Sequence, residues 1–137
     1  MLSKFLSDVL PPEGRYALWT AHNKKHIWTD TIGELVSEIN DRDDMQGVFY
    51  ATAGFGDALI ERTGDIARTQ ANVLARRSYH LDLDAGTEKL EKHGEDAVYA
   101  TQRDALAGLV GFAKKTGLVP TYIVSSGEGL HAYWCLD

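Results

Sequence analysis

The chain has 137 residues, 44% hydrophobic and 25% charged, which is one domain's worth of globular protein and excludes a fibrous or disordered chain. A net charge of −6 excludes indiscriminate coating of nucleic acid, but not an enzyme acting on nucleic acid through grouped cations. No apolar run is long enough to span a bilayer, and the single cysteine, Cys135, excludes an intramolecular disulfide and fits a reducing cytoplasm.

In chain order, "MLSKFLSDVL" spaces its apolar residues as an amphipathic helix. Asp8 argues against a signal peptide, and Pro11-Pro12 stops the helix. "RYALWT" (15–20) reads as a strand, and "AHNKKHIWT" as a turn and short return strand. Thr31 and Glu34 have capping-box spacing before a helix to Asn40, with Ile32, Leu35, Val36 and Ile39 as its apolar stripe. "GVFYATA" (47–53) reads as a buried strand, and 54–65 as a glycine-bearing loop. "NVLARRSYHLDLDAG" (72–86) contains the next extended segment, and the polar residues 87–95 are expected to be irregular. Asp96 is placed to cap a long helix to Lys115, with Leu106, Leu109, Val110 and Ala113 facing the core and Gly117 beyond its end. "PTYIVSS" and "LHAYWCL" are strands joined by "GEG", a hairpin, with Cys135 expected to be buried in the second. With no repeat or linker and with strands and helices alternating, 1–137 is read as a single mixed α/β or α+β domain. The basic pairs Lys24-Lys25, Arg76-Arg77 and Lys114-Lys115 each read first as solvated surface.

Two stretches carry chemistry. In "HLDLD", strand alternation puts His80, Asp82 and Asp84 on one face and Leu81 and Leu83 on the other. Two carboxylates at that spacing repel unless a cation joins them, and a hard ion such as Mg²⁺ matches their oxygens. Taken alone, the pattern serves a solvated acidic edge equally well. In "SSGEGLHAYW", Gly127 and Gly129 let backbone N–H groups approach an anion, Ser126 adds a hydroxyl, and His131 follows on the strand face shared with Tyr133 and Cys135. The plain alternative is a turn built with glycines and a histidine satisfied in the core. Together, a metal-binding carboxylate pair and an anion loop are what nucleotidyl transfer requires.

"HLDLDAG" followed by "PTYIVSSGEGLHAYWCLD" resembles the archaeo-eukaryotic primase superfamily, especially phage and plasmid primase-polymerases. The resemblance covers residues 68–137 well and the earlier part loosely. It implies that Asp82 and Asp84 bind Mg²⁺ or Mn²⁺. It also implies that Ser126, Gly127, Gly129 and His131 hold the triphosphate of an incoming nucleotide, with Asp82, Asp84 and His131 catalytic. The implied fold is α+β, an N-terminal α/β module plus part of an RRM-like module that lacks the strand with the third acidic motif. The implied reaction is transfer of nucleotides from nucleoside triphosphates to a 3′-hydroxyl on single-stranded DNA in the replication of a mobile element. His80 stands where the family is apolar, and Glu128 where a cation would help phosphate binding. The family's third acidic motif has no counterpart before Asp137, so a downstream segment or a helicase-like replication protein is expected to complete the site, and residues 1–137 alone are expected to be inactive. A non-catalytic nucleotide- or nucleic-acid-binding module is the alternative. A nicking initiator is disfavoured, since "HLD" and "HAY" each offer one histidine where that chemistry uses two.

Overall fold

The computed structural model describes residues 1–42 and 45–137. It is a mixed α+β structure with small antiparallel sheets, and the chain divides into two compact units, Met1–Ser78 and Tyr79–Asp137.

In the first unit, helix α1 (Leu2–Val9) buries Leu6 and Val9. The hydroxyl of Tyr16 donates to the Pro11 carbonyl at 2.6 Å, satisfying a phenol that burial holds above its ordinary pKa. Strand β1 (Tyr16–Thr20) is central in a three-stranded sheet, pairing antiparallel with β2 (His26–Thr29) and β3 (Val48–Tyr50). Helix α2 (Ile32–Asn40) begins with the expected capping box, Thr31 and Glu34 reciprocally satisfying backbone N–H groups, a device worth about 1 kcal/mol. Its Leu35 is buried with Leu6, Leu10, Tyr16 and Leu18 in one core of this unit, and Ile32, Val36 and Ile39 pack against that core. Each fully buried leucine there contributes roughly 1.5–3 kcal/mol.

The 47–53 expectation is corrected. Only Val48–Tyr50 forms a strand, it lies at the sheet edge, and Phe49 points outward. An edge strand alternates exposed and covered residues, so its apolar run does not mark burial. The glycine-bearing stretch likewise starts in a two-residue strand, β4 (Gly54–Phe55), paired with β5 (Val73–Ala75).

In the second unit, β6 (Ser78–Leu83), β7 (Tyr122–Ser125) and β8 (Leu130–Cys135) form a sheet in the order β6-β8-β7. The expected hairpin is present, with β7 and β8 antiparallel from Tyr122 opposite Tyr133 to Ser125 opposite Leu130. Cys135 is half-buried rather than enclosed. Residues 87–95 are not irregular, because Thr87–His93 is a helix, α3. Periodicity could not reveal it, as Leu90 is its one aliphatic residue. Its signal is electrostatic: Glu88 lies in the first turn, Lys92 and His93 in the last, with Glu88 and Lys92 four apart.

Helix α4 (Gln102–Thr116) starts later than expected, capped by Thr101, whose hydroxyl accepts from the Asp104 N–H, and not by Asp96. It ends at left-handed Gly117 with Lys114 and Lys115 in the last turn, as expected. Its buried stripe is rotated: Ala105 and Leu109 are in the core, whereas Leu106 and Val110 are exposed. Ala105 and Leu109 pack with Leu83, Ala85, Leu130 and Ala132. Tyr99 lies over Gly108, where a Cβ would meet its hydroxyl.

Candidate functional site

The site grows from the alternation of β6 and β8 in the second unit. On β8, Leu130 and Ala132 enter the core and Trp134 packs against it, so His131 and Tyr133 take the other face. On β6, Leu83 joins the same core. His80 and Asp82 therefore share the face of His131: the His80 and Tyr133 rings stack at 6.0 Å, and His131 meets Tyr133 edge-on at 6.4 Å. Leu81, expected on the inner face, is 46% exposed, so the leucine alternation seals only one of its two positions.

His131 Nε2 lies 3.4 Å from Asp82 Oδ1. The two sequence stretches thus converge on one face through those side chains. Asp84 stands one residue beyond β6. Its backbone is fixed where its carbonyl accepts from the Tyr99 N–H at 2.9 Å and where Ala85 bridges to Tyr99. Its carboxylate is paired with Lys89 of α3. The Asp84 hydrogen bond, reinforced by the charges of Asp84, Asp82 and Glu128, raises the Lys89 ammonium above its ordinary pKa against a smaller opposing effect of desolvation. Glu128, expected to work against phosphate binding from within the loop, packs its carboxylate on Gly86: a Cβ there would lie 2.6 Å from Glu128 Oε2. Gly86, at φ +120°, adopts a conformation that favours glycine.

The hairpin is held from α4. Gln102 Nε2 lies 2.8 Å from Ser125 Oγ, 3.2 Å from the Gly127 carbonyl and 2.8 Å from the Gly129 carbonyl. Its two protons thus serve three acceptors. No described peptide is cis, and the N–H of a trans peptide points opposite its carbonyl. Engaging the Gly127 carbonyl therefore turns the Glu128 N–H away from α4. The Ser126 N–H closes the turn on the Gly129 carbonyl at 3.1 Å. Gly127 adopts φ +101°. Gly129 is required by crowding, since a Cβ would run into the Leu83 carbonyl of β6. The loop's glycines thus have structural reasons of their own besides any ligand.

Of the residues read from sequence, the structure joins Asp82 to His131. It sets Asp84 and Asp82 around Lys89, and leaves Ser126, Gly127 and Gly129 in the turn preceding His131. Sequence reasoning missed Lys89 and Gln102. Lys89 lies five residues past Asp84 on a helix with no apolar period, and Gln102 only acquires meaning once Thr101 is seen as a cap.

Among the described residues, no three His, Cys, Asp or Glu side chains are grouped to hold a metal ion, and no helix is long and apolar enough to cross a membrane. Magnesium does not demand such a cage, because it keeps several waters and takes one or two carboxylates plus substrate phosphate. Asp82 and Asp84, about half-exposed and each drawn to a nitrogen-bearing partner, fit that donor chemistry. No known protein family, curated protein or solved structure matches this chain.

Proposed function

We propose that the second unit carries a nucleotidyl-transfer site of the primase-polymerase type, on the RRM-like half of such a core, used in replication of a mobile element. The observation that supports the reading is the approach of His131, which follows the glycine-bearing turn, to Asp82, the first of the two carboxylates. Asp82 and Asp84 would hold Mg²⁺ or Mn²⁺. When bound, the ion supplies charge neutralisation at phosphate and a more acidic attacking hydroxyl. His131, the Ser126 hydroxyl and the Glu128 N–H are the donors for the triphosphate. Gln102 keeps them in place by occupying the hairpin's carbonyls. The reaction is attack of a 3′-hydroxyl, positioned on a single-stranded DNA template, on the α-phosphate of a nucleoside triphosphate, with release of pyrophosphate.

Calorimetric titration with Mn²⁺ tests the reading. Binding to the unaltered chain and its loss in both Asp82→Ala and Asp84→Ala, with circular dichroism unchanged, is the expected result. Undiminished binding in both variants returns the pair to a solvated acidic edge.

A further inference from the structure

The first unit contains a cavity of about 650 Å³, within the range of small-ligand sites. In an acidic protein its rim is cationic: Lys24, Lys25 and Arg68 line it against one carboxylate, Asp65. Two rings, His26 and Trp28, also line it. Strand alternation explains their presence. On β2, Thr29 is buried and Ile27 packs on the core, so His26 and Trp28 emerge together on the opposite face. Their rings lie 6.1 Å apart at 34°, and the Phe55 edge steadies Trp28 at 5.4 Å. The adjoining turn is held in an uncommon shape. Lys24 has φ +55°, its N–H donates to the Thr20 carbonyl at 2.9 Å, and the Lys25 N–H donates to Asn23 Oδ1 at 3.2 Å. The backbone of two lysines is thereby held beside a pair of rings.

We infer that this cavity binds a nucleoside phosphate, its base against Trp28 and His26 and its phosphate between Arg68 and the two lysines. Arginine suits the planar, bidentate demand of phosphate oxygens, and an aromatic face accepts any base by stacking. A free anion such as sulfate would have no use for the rings, and an apolar ligand none for the three cations. The chemistry is the same for a mononucleotide and for one nucleotide of a single strand. The site lies wholly in the first unit and does not rest on the carboxylate reading.

The test is titration in EDTA, which removes any contribution from Asp82 and Asp84, using inorganic phosphate, deoxyadenosine monophosphate and an oligodeoxyadenylate. Nucleotide binding tighter than phosphate binding is expected, with shifts of the Trp28 indole and His26 ring resonances. Double reversal Lys25→Glu/Arg68→Glu should weaken it by about tenfold or more, while Lys114→Glu/Lys115→Glu leaves it unchanged. Binding of the monophosphate assigns a free nucleotide, and binding of the oligomer alone assigns a strand. Equal affinity for phosphate and nucleotide, resonances of Trp28 and His26 that do not move, or no binding at all would each overturn the proposal. The resonance measurement uses the unaltered chain and holds even if the double variant fails to fold.

Discussion

His131 on β8 and Asp82 on β6 face one another at 3.4 Å, Nε2 to Oδ1. A carboxylate this close orients the imidazole on the face that the two strands share. In the proposed site Asp82 would help hold the metal ion, and His131 would donate to phosphate.

His131→Ala should therefore weaken nucleotide binding more than Mn²⁺ binding. Loss of a charge-assisted hydrogen bond is worth about 1.5–3 kcal/mol, or roughly 10- to 150-fold in affinity. Parallel calorimetric titrations with ion and with nucleotide read the difference. Equal losses in the two would assign His131 to holding β6 and β8 together.

Lys89→Met should increase the affinity for Mn²⁺. The Lys89 ammonium is paired with Asp84, and an ion must displace it to reach that carboxylate. Methionine keeps much of the length and removes the charge. The gain should be modest, no more than about tenfold, because the pair is half-exposed and screened by solvent. An affinity that falls instead would mean that Lys89 helps shape the site.

Gly129→Ala should destabilise the chain by about 1–3 kcal/mol. The added methyl would meet backbone, the Leu83 carbonyl, which cannot swing aside as a side chain could. Gly111→Ala is the control, since nothing lies within 4 Å of a Cβ there. It should be neutral or slightly stabilising through helix propensity. Thermal unfolding of the two variants checks this, and equal midpoints would sink it.

His26 should titrate below its ordinary value of 6.5, because burial and the Arg68 charge disfavour its cation more than Asp65 favours it. With Lys24 and Lys25 on the same cavity, the surroundings are cationic overall. The folded pKa is depressed, so the unfolded chain binds the proton more readily. His26 thus supports the fold fully above pH 6.5, and that support is lost as pH falls through the folded pKa. Arg68→Gln should raise the midpoint seen by ring NMR. A midpoint that does not move would leave burial as the whole cause.

Local signals made much of the frame legible in the sequence. The Thr31–Glu34 capping box, the stripe of α2, the antiparallel partners around β1 and β2, and the terminal hairpin all follow from interactions within a few residues, which the chain order already contains. The shared face of Asp82 and His131 was legible for the same reason, because strand alternation assigns each a face, whereas Asp84 lies beyond the end of β6.

Only the tertiary structure decided which faces met. Helix α4 turns Ala105 and Leu109 into the core, leaves Leu106 and Val110 exposed, and sets Gly108 under Tyr99, a packing choice that helical periodicity does not contain. Lys89 reached Asp84 from a helix with no apolar stripe, and Gln102 gathered the Ser125, Gly127 and Gly129 oxygens from 23 to 27 residues away. Charge pairing and carbonyl capture across such separations depend on where the backbone returns. The sequence could therefore name the carboxylates and the histidine, but the sheet order β6-β8-β7 had to form before Asp82 and His131 became neighbours.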